Sequence, residues 1–599
     1  MIFMKTELII KECIVKSNNL YINVNCDIDY DPDVFEPKLK INFFNGKNNL
    51  ILPVLITNRR YISFKNLDSL EFSQKFEIND IFLDKKWKEI KFYLSLHYGN
   101  HIVTDFSFDL DNDINNDFVS KYLIENDENQ IKLIKINDKN NLNILRHVLS
   151  LFIRIIALII SIFLIPFFIF ESIFIMIKTP DLNSSGGDLY LEDKNVIKRG
   201  IRHILWRISS FSNFPVEKLF INFKNYMLNK IYQLAVLIYQ KENTVMFISE
   251  RGQNLTGNLK FVYDYIKNNE NTKNVNIKVS TINQSFPITS FSHKWNTYKD
   301  MASSNVILLD NYFSPVNILN FNNQTLIQLW HAAGAFKTFG FTRFGRPGGP
   351  KLDSKNHRKY DMATVSSRAV IECYSEAYGV SSDKILPLGI PRTDIFFDTD
   401  YIDSTKENFY KKYPQLKDKK IILFGPTFRG TNRRNGYYPI KKFDPIKIYN
   451  DLNQEYAIII KRHFFINNKF KIPNEYSDYI LDLDINEDIN DLLFVTDILI
   501  TDYSSTVFEA SLLDVPMIFY AFDLDDYISN RSFYFEYKSF VPGKITYTQD
   551  ELINSIKNND FEDYKIKDFK DKFFEEIDGK STERIINYIC NVLEKNKKK

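Results

Sequence analysis

From residue 243 onward the chain repeats one pattern, a short and almost purely apolar run followed by a longer amphipathic stretch. The runs "NTVMFIS", "VNIKVSTI", "NVILLD", "TLIQLWH", "KYDMATVSS" and "KILPLGI" alternate with "NLKFVYDYIKNN" and "SRAVIECYSEAYG". Strands that are apolar on both faces are buried on both, which happens where helices cover a parallel sheet. The pattern predicts one doubly wound, Rossmann-like α/β domain over 241–395. A second follows over 396–599, where "KKIILFGPTFRG", "YAIIIKRHFF", "DYILDLD", "DILITDYSS" and "VPMIFYAFD" carry the strands. Two such domains in series enclose a cleft, and open α/β sheets bind ligands at the carboxyl ends of their strands. The residues just after each strand are therefore the candidates for chemistry.

The preceding residues obey other rules. Up to about residue 140, segments such as "LYINVNCDI", "KLKINFF" and "EIKFYLSLHYG" alternate apolar with polar side chains between Asn, Asp and Gly, which predicts a β-sandwich-like accessory domain over 1–140. Asp109 and Asp111 in "DLD" read as a turn rather than a metal site. Residues 141–240 predict a membrane-associated helical region. Its stretch "VLSLFIRIIALIISIFLIPFFIFESIFIMIK" (148–178) carries no charge from Ile155 to Phe170; Lys135, Lys139 and Arg146 precede the apolar part while Lys178, Lys194, Lys198 and Arg199 follow it. Cations on both flanks suit a segment whose ends share one side of a bilayer, with Pro166 at the bend of a re-entrant hairpin; a single span is the alternative. Next, "NVIKRGIRHILWRISSF" interleaves Ile and Leu with Lys and Arg, as a helix lying on anionic lipid does.

Bulk properties narrow the function classes. Lys and Arg total 77 against 75 Asp and Glu in 599 residues, so no global positive field points to nucleic acid. Cys13, Cys26, Cys373 and Cys590 show neither zinc nor redox spacing and fit a reducing compartment. The start "MIFMKTELIIKEC" lacks the apolar core of a secretory signal, so export is not expected.

Four strand ends carry the candidate site. "TLIQLW" leads to His331 and Lys337; "IILFG" leads to Thr427 and Arg429; "YAIII" leads to Lys461 and His463; "DILIT" leads to Asp502, Ser504, Ser505, Thr506 and Glu509. Each has an ordinary structural reading, and the serines of "DYSS" can simply cap the helix that follows. Together they supply electrostatic clamps and a base, the parts that phosphoryl transfer needs. A Walker loop and a GxGxxG turn are both missing from the sequence, which disfavours nucleoside triphosphate hydrolysis and nicotinamide chemistry.

In order and spacing, "LWHAAGAFKTFGF", "PLGIPRTDIFF", "ILFGPTFRG", "IIIKRHFF" and the block from "DINDLLFVTDILITDYSSTVFEASLLDVPMIFYAFD" to "VPG" resemble the CDP-glycerol glycerophosphotransferases, the teichoic-acid primases and polymerases of Gram-positive walls, over roughly residues 240–590. The resemblance implies a GT-B fold and a monotopic enzyme on the cytoplasmic face of the cell membrane. It implies a CDP-glycerol or CDP-polyol donor, a lipid-linked polymer as acceptor, and release of CMP. By the same resemblance His331 is the general base, while His463 contacts the pyrophosphate and steadies the departing CMP. Arg429 and Lys461 offset phosphate charge, Ser504 and Ser505 hold the pyrophosphate, and Glu509 meets the ribose. Lys337, Thr427, Asp502 and Thr506 complete the substrate side. No tightly bound metal or other cofactor is expected, and a homo-oligomer is left open. The chain departs from the family in reading "HAAGAFK" where His-Gly-Thr-Pro-Leu-Lys is usual, and in having Ser532 where a glycine is usual. Two rival readings remain: a GT-B glycosyltransferase using a nucleotide sugar for a surface glycan, and a non-catalytic membrane adaptor. Retention of His331 and His463 argues against the second.

Overall fold

In the computed structural model the chain forms two compact units, one of Met1–Lys135, Gln240–Asn317 and Phe321–Lys599, the other of Ile136–Tyr239 with Ile318–Asn320. The structure describes the strands of residues 8–135, then 141–169, 196–212 and 216–239, and 243–597 apart from 283–289, 322–323, 345–348, 351–353, 431–435, 484–486, 525 and 528–532. The "DLD" turn, the half of the apolar segment beyond residue 169, and Ser532 lie outside the described residues.

In the larger unit the apolar runs form two six-stranded parallel sheets. The first is ordered Asn276–Thr281, Thr244–Ser249, Val306–Leu309, Thr325–Gln328, Met362–Thr364, Ile385–Leu386. Strand order therefore reverses between Thr244–Ser249 and Val306–Leu309. The second is ordered Ile480–Leu483, Tyr456–Lys461, Lys420–Gly425, Ile498–Thr501, Met517–Tyr520, Lys544–Thr546, and reverses between Lys420–Gly425 and Ile498–Thr501. Such a reversal parts the connecting helices to opposite faces and opens a crevice at the carboxyl ends. Every residue of Thr244–Ser249, Val306–Leu309, Ile498–Thr501 and Met517–Tyr520 is buried, as the unbroken apolar runs require.

The N-terminal strands form a five-stranded and a six-stranded sheet whose adjacent pairs are antiparallel, except that Leu8–Lys16 pairs parallel with Phe106–Phe108. Alternation sets their inner faces: Leu20, Ile22, Val24, Cys26 and Ile28 of one sheet and Leu39, Ile41 and Phe43 of the other are buried in a single core. That core also takes in Phe341 and Phe344 from the α/β region.

The smaller unit is helical, with Asn141–Phe163, Val196–Ser212 and Val216–Ile238. The first helix is interrupted at Leu164, and helical geometry resumes over 165–169. Pro166 stands just inside this restart, where its missing N–H costs least. Phe152, Ile153, Phe163, Phe223, Leu234 and Leu237 are exposed, Phe163 to 79% and Leu237 to 83%. Among the described residues no helix is long and apolar enough to cross a membrane.

Candidate active site

At the first reversal Ser249 ends its strand and donates from Oγ to Oδ2 of Asp310, the residue after Val306–Leu309, at 3.0 Å. The backbone N–H of Arg251 reaches Ser249 Oγ at 3.3 Å. Above them stands His331, whose Nδ1 lies 3.2 Å from the carbonyl oxygen of Asp310. A carbonyl can only accept, so Nδ1 carries the proton and Nε2 of the neutral ring keeps its lone pair. Burial first, then the cation of Arg251, push the His331 pKa down to about 3. The ring is thus neutral at physiological pH. Asp310 moves the other way, up to about 6, because burial outweighs Arg251 and the Ser249 hydrogen bond.

The His331 ring is held from behind. Trp330 adopts φ 52°, a conformation unfavourable for a bulky residue, and its indole packs on Phe339 with centroids 4.9 Å apart and on His331 at 4.3 Å. Its strained backbone is pinned by Asn258, whose Nδ2 donates to the Leu329 and Trp330 carbonyls at 2.9 Å each. Asn258 Oδ1 in turn accepts the Arg392 backbone N–H at 3.1 Å, and the Arg392 guanidinium forms an ion pair with Glu509. The "HAAGAFK" turn closes on the second α/β domain at Gly334, where φ is +60° and an added Cβ would lie 2.1 Å from the Phe508 ring.

At the second reversal the central group is Asp502. Its Oδ1 accepts the Thr427 N–H at 2.9 Å, the Thr427 hydroxyl at 2.8 Å and its neighbour Tyr503 N–H at 2.6 Å, while Oδ2 accepts Arg429 Nη1 at 2.9 Å. Arg429 also donates to both carboxylate oxygens of Asp523, at 2.7 and 2.8 Å, and to the Thr427 carbonyl at 2.8 Å. Burial pulls the Arg429 pKa down, but Asp502 and Asp523 more than offset it and hold the guanidinium charged. His463 joins this cluster through Phe428, whose ring lies 4.9 Å from the imidazole. His463 Nδ1 accepts the Phe465 N–H at 3.1 Å, so in the neutral ring the proton sits on Nε2, the reverse of His331. Beside Asp523 opens a cavity of about 450 Å³ lined by Phe522, Asp526, Lys538 and Tyr547 among others.

Arg429 is 9% exposed and its guanidinium is committed to two aspartates, an arrangement that braces the loop. Asp502 and Thr427 belong to the same buried bracing. Glu509 is 2% exposed and paired with Arg392. Ser505 holds the cap position of Thr506–Leu512 but makes no side-chain cap bond; it is Ser504 Oγ that accepts the Thr506 N–H, at 3.3 Å, and shares a 2.9 Å hydrogen bond with its hydroxyl. Lys461 ends its strand half-buried, with Arg462 between it and His463. Lys337 pairs with Phe533 in an antiparallel bridge and sets its ammonium 5.5 Å from the Tyr527 ring, which Arg429 faces at 5.0 Å. Arg251, Asp310, Asp523 and Arg392 were missed as site residues. Asp310 directly follows its strand, Glu250 stands between Ser249 and Arg251, Ala521 and Phe522 stand between Tyr520 and Asp523, and Arg392 lies in the quoted "GIPRTD", so a strand-end rule widened by a few residues would have reached the first three.

The match to the family model described as CDP-Glycerol:Poly(glycerophosphate) glycerophosphotransferase spans residues 230–591, and the chain belongs to that family. It is 41% identical over 359 residues to a teichoic acid poly(ribitol-phosphate) polymerase of Bacillus spizizenii, covering 60% of this chain and 58% of that relative. It is 38% identical to the teichoic acid ribitol-phosphate polymerase TarK of Staphylococcus aureus, over 61% of this chain and 71% of the relative. A glycerol-phosphate primase of Bacillus subtilis is 37% identical over 49% of this chain and 75% of its own length. The wall teichoic acid polymerase TagF shares the fold with a TM-score of 0.51 at 23% identity, over 63% of this chain and 97% of that one. The N-terminal strands fall outside the family match.

The pair Arg392–Glu509 yields a prediction. Arg392→Met should destabilise the protein by about 3–5 kcal/mol, because it leaves a buried carboxylate unpaired. Burial already raises the Glu509 pKa and Arg392 opposes that rise, so the variant binds its proton still more tightly when folded. The deficit, read from urea unfolding, should therefore be larger at about pH 8 than at about pH 5, where protonation relieves it.

Proposed function

We propose that the protein transfers a polyol phosphate from a CDP-polyol to a hydroxyl of a teichoic-acid-type acceptor and releases CMP. The observation that carries this reading is the complementary protonation of two histidines at strand ends of the two α/β domains. His331 offers an Nε2 lone pair to the acceptor hydroxyl; as the proton leaves, the oxygen bonds to the phosphorus that bears the polyol. The bond from that phosphorus to the CMP oxygen breaks, and the departing phosphate accepts a hydrogen bond from His463 Nε2–H. Ser504, Ser505 and Lys461 stand at the strand ends where the pyrophosphate would lie, with Lys337 on the acceptor side. Arg429, Thr427, Asp502 and Glu509 act one layer behind, fixing the loops. The longer matches to two ribitol-phosphate polymerases, 41% identical over 359 residues and 38% over 366, against 37% over 300 residues for the glycerol-phosphate primase, support trying CDP-ribitol first, ahead of CDP-glycerol.

The exposed apolar side chains of the helical unit support a place on the cytoplasmic face of an anionic membrane. Each Leu, Ile or Phe left in water forgoes about 1.5–3 kcal/mol of burial, and a bilayer surface recovers part of it. Phe163→Glu with Leu237→Glu should markedly reduce flotation with phosphatidylglycerol vesicles; unchanged flotation would contradict this placement.

The direct test is CMP release by the full chain from CDP-ribitol and CDP-glycerol with a polyol-phosphate-primed lipid acceptor. His331→Ala and His463→Ala should each lower turnover by about 10²–10⁴-fold. The acid limb of kcat/KM set by His331 should lie well below the ordinary imidazole value of 6.5, since the base form persists toward its depressed pKa of about 3. Transfer from a UDP-sugar with no CMP from either donor would favour the glycosyltransferase reading.

A further inference from the structure

The N-terminal sheets lie outside the family match, yet they hold a segment of the candidate site. On strand Lys38–Phe44, Leu39, Ile41 and Phe43 fill the β core, so by alternation Lys38 and Lys40 point out of it. Lys40 pairs with Glu376 on helix Ile371–Tyr378, both side chains largely buried. Lys38 donates from Nζ to the backbone carbonyls of Phe533 and Tyr534, at 3.2 and 2.7 Å.

Those two residues form a strap between the α/β domains. On one side the Tyr534 N–H donates to the Phe336 carbonyl at 2.9 Å, Phe533 bridges to Lys337, and the Tyr534 hydroxyl shares a 2.9 Å hydrogen bond with Thr342. The rings of Phe336 and Phe533 stack at 4.9 Å. On the other side the Phe533 ring packs against Tyr503, Tyr527 and Tyr537, with centroids 5.9, 6.0 and 5.5 Å away. Tyr503 follows Asp502 directly, and its hydroxyl donates to Asp523 at 3.0 Å. The strap thus touches both the segment that begins at His331 and the Asp502 cluster. Its backbone conformation is set in part by the Lys38 ammonium, which neutral backbone partners alone would hold less firmly. The Gly340–Arg343 turn, which the Tyr534 hydroxyl meets at Thr342, is tied to the β core separately, by Phe344 stacked on Phe76 at 5.9 Å. Gly340, at φ +57°, seats it against the Ala377 backbone, where an added Cβ would lie 2.1 Å from the carbonyl oxygen.

We propose that Lys38 and Lys40 are positioning residues for transfer, and that the N-terminal β region is a working part of the catalytic body. Through the Phe533–Tyr534 strap it keeps the His331–Lys337 segment in register with the loops around Asp502. The kinetic half of this inference rests on the proposed transferase reading; its structural half does not.

The test compares the full-length wild type with Lys38→Met, Lys38→Arg, Lys40→Glu, and Lys40→Glu combined with Glu376→Lys, by hydrogen–deuterium exchange and by CMP release. Lys38→Met should speed amide exchange in 336–342 and 533–537 and leave the strand Lys420–Gly425 protected. It should lower kcat by about 10- to 100-fold, as small misplacements do, with donor KM changed less than about twofold. Lys38→Arg should recover most of kcat, and Glu376→Lys should restore what Lys40→Glu loses. Wild-type exchange and wild-type kcat in Lys38→Met, or a lowered melting temperature with kcat unchanged, would overturn the proposal. If Lys38→Met does not fold, the Lys40–Glu376 exchange decides: no loss in Lys40→Glu, or no restoration by the swap, overturns it. A wild type that releases no CMP from either donor defeats the transferase reading alone, and exchange then decides whether the strap is braced.

Discussion

Asp502 is a carboxylate only 1% exposed, placed where the second parallel sheet reverses its strand order. A charge there is tolerable only if every lone pair is answered, since an unpaired buried ion destabilises a protein by several kcal/mol. The loop after Lys420–Gly425 answers it with the Thr427 N–H and hydroxyl and the Arg429 guanidinium. Arg429 then needs a second anion, which Asp523 supplies from the end of the next strand. Three strand ends are thereby locked to one another before any substrate arrives. Tyr537 adds a bond from its hydroxyl to the Asp502 carbonyl at 2.9 Å, so the following segment is fixed to the same point. This explains why the chain leaves a buried strand through an aspartate: the group organises the crevice floor, and the serines after it are left at the rim.

Once the floor is rigid, backbone partners can set proton positions. Carbonyl against Nδ1 makes His331 an acceptor at Nε2; N–H against Nδ1 makes His463 a donor there. Transfer of a phosphate group needs this asymmetry, because one oxygen must lose a proton while the other gains negative charge. Burial and Arg251 keep His331 neutral.

The sheets were legible because their cause is local: an unbroken apolar run announces a strand buried on both faces, and alternation announced the N-terminal strands equally well. His331 and His463 were legible as strand-end residues. Partnerships were not, since they depend on residues remote in sequence. Arg392 and Glu509 are 117 residues apart, and nothing near either one says that Glu509 is buried and paired. Lys38 and Tyr534 are 496 apart, so the β region read as a separate accessory. The partners of Arg429 were hidden for the same reason: an arginine after a strand reads as a phosphate clamp, and Asp502 and Asp523, which pair with it, lie 73 and 94 residues away.

The most direct measurement of the account is the protonation of the two site histidines, by ¹⁵N NMR of histidine-labelled full-length protein near neutral pH. With eight histidines in the chain, His331→Gln and His463→Gln assign the signals. The account predicts a neutral His331 protonated at Nδ1 and a His463 whose neutral form is protonated at Nε2. The same tautomer in both rings, or a charged His331, would contradict the division of labour between base and donor.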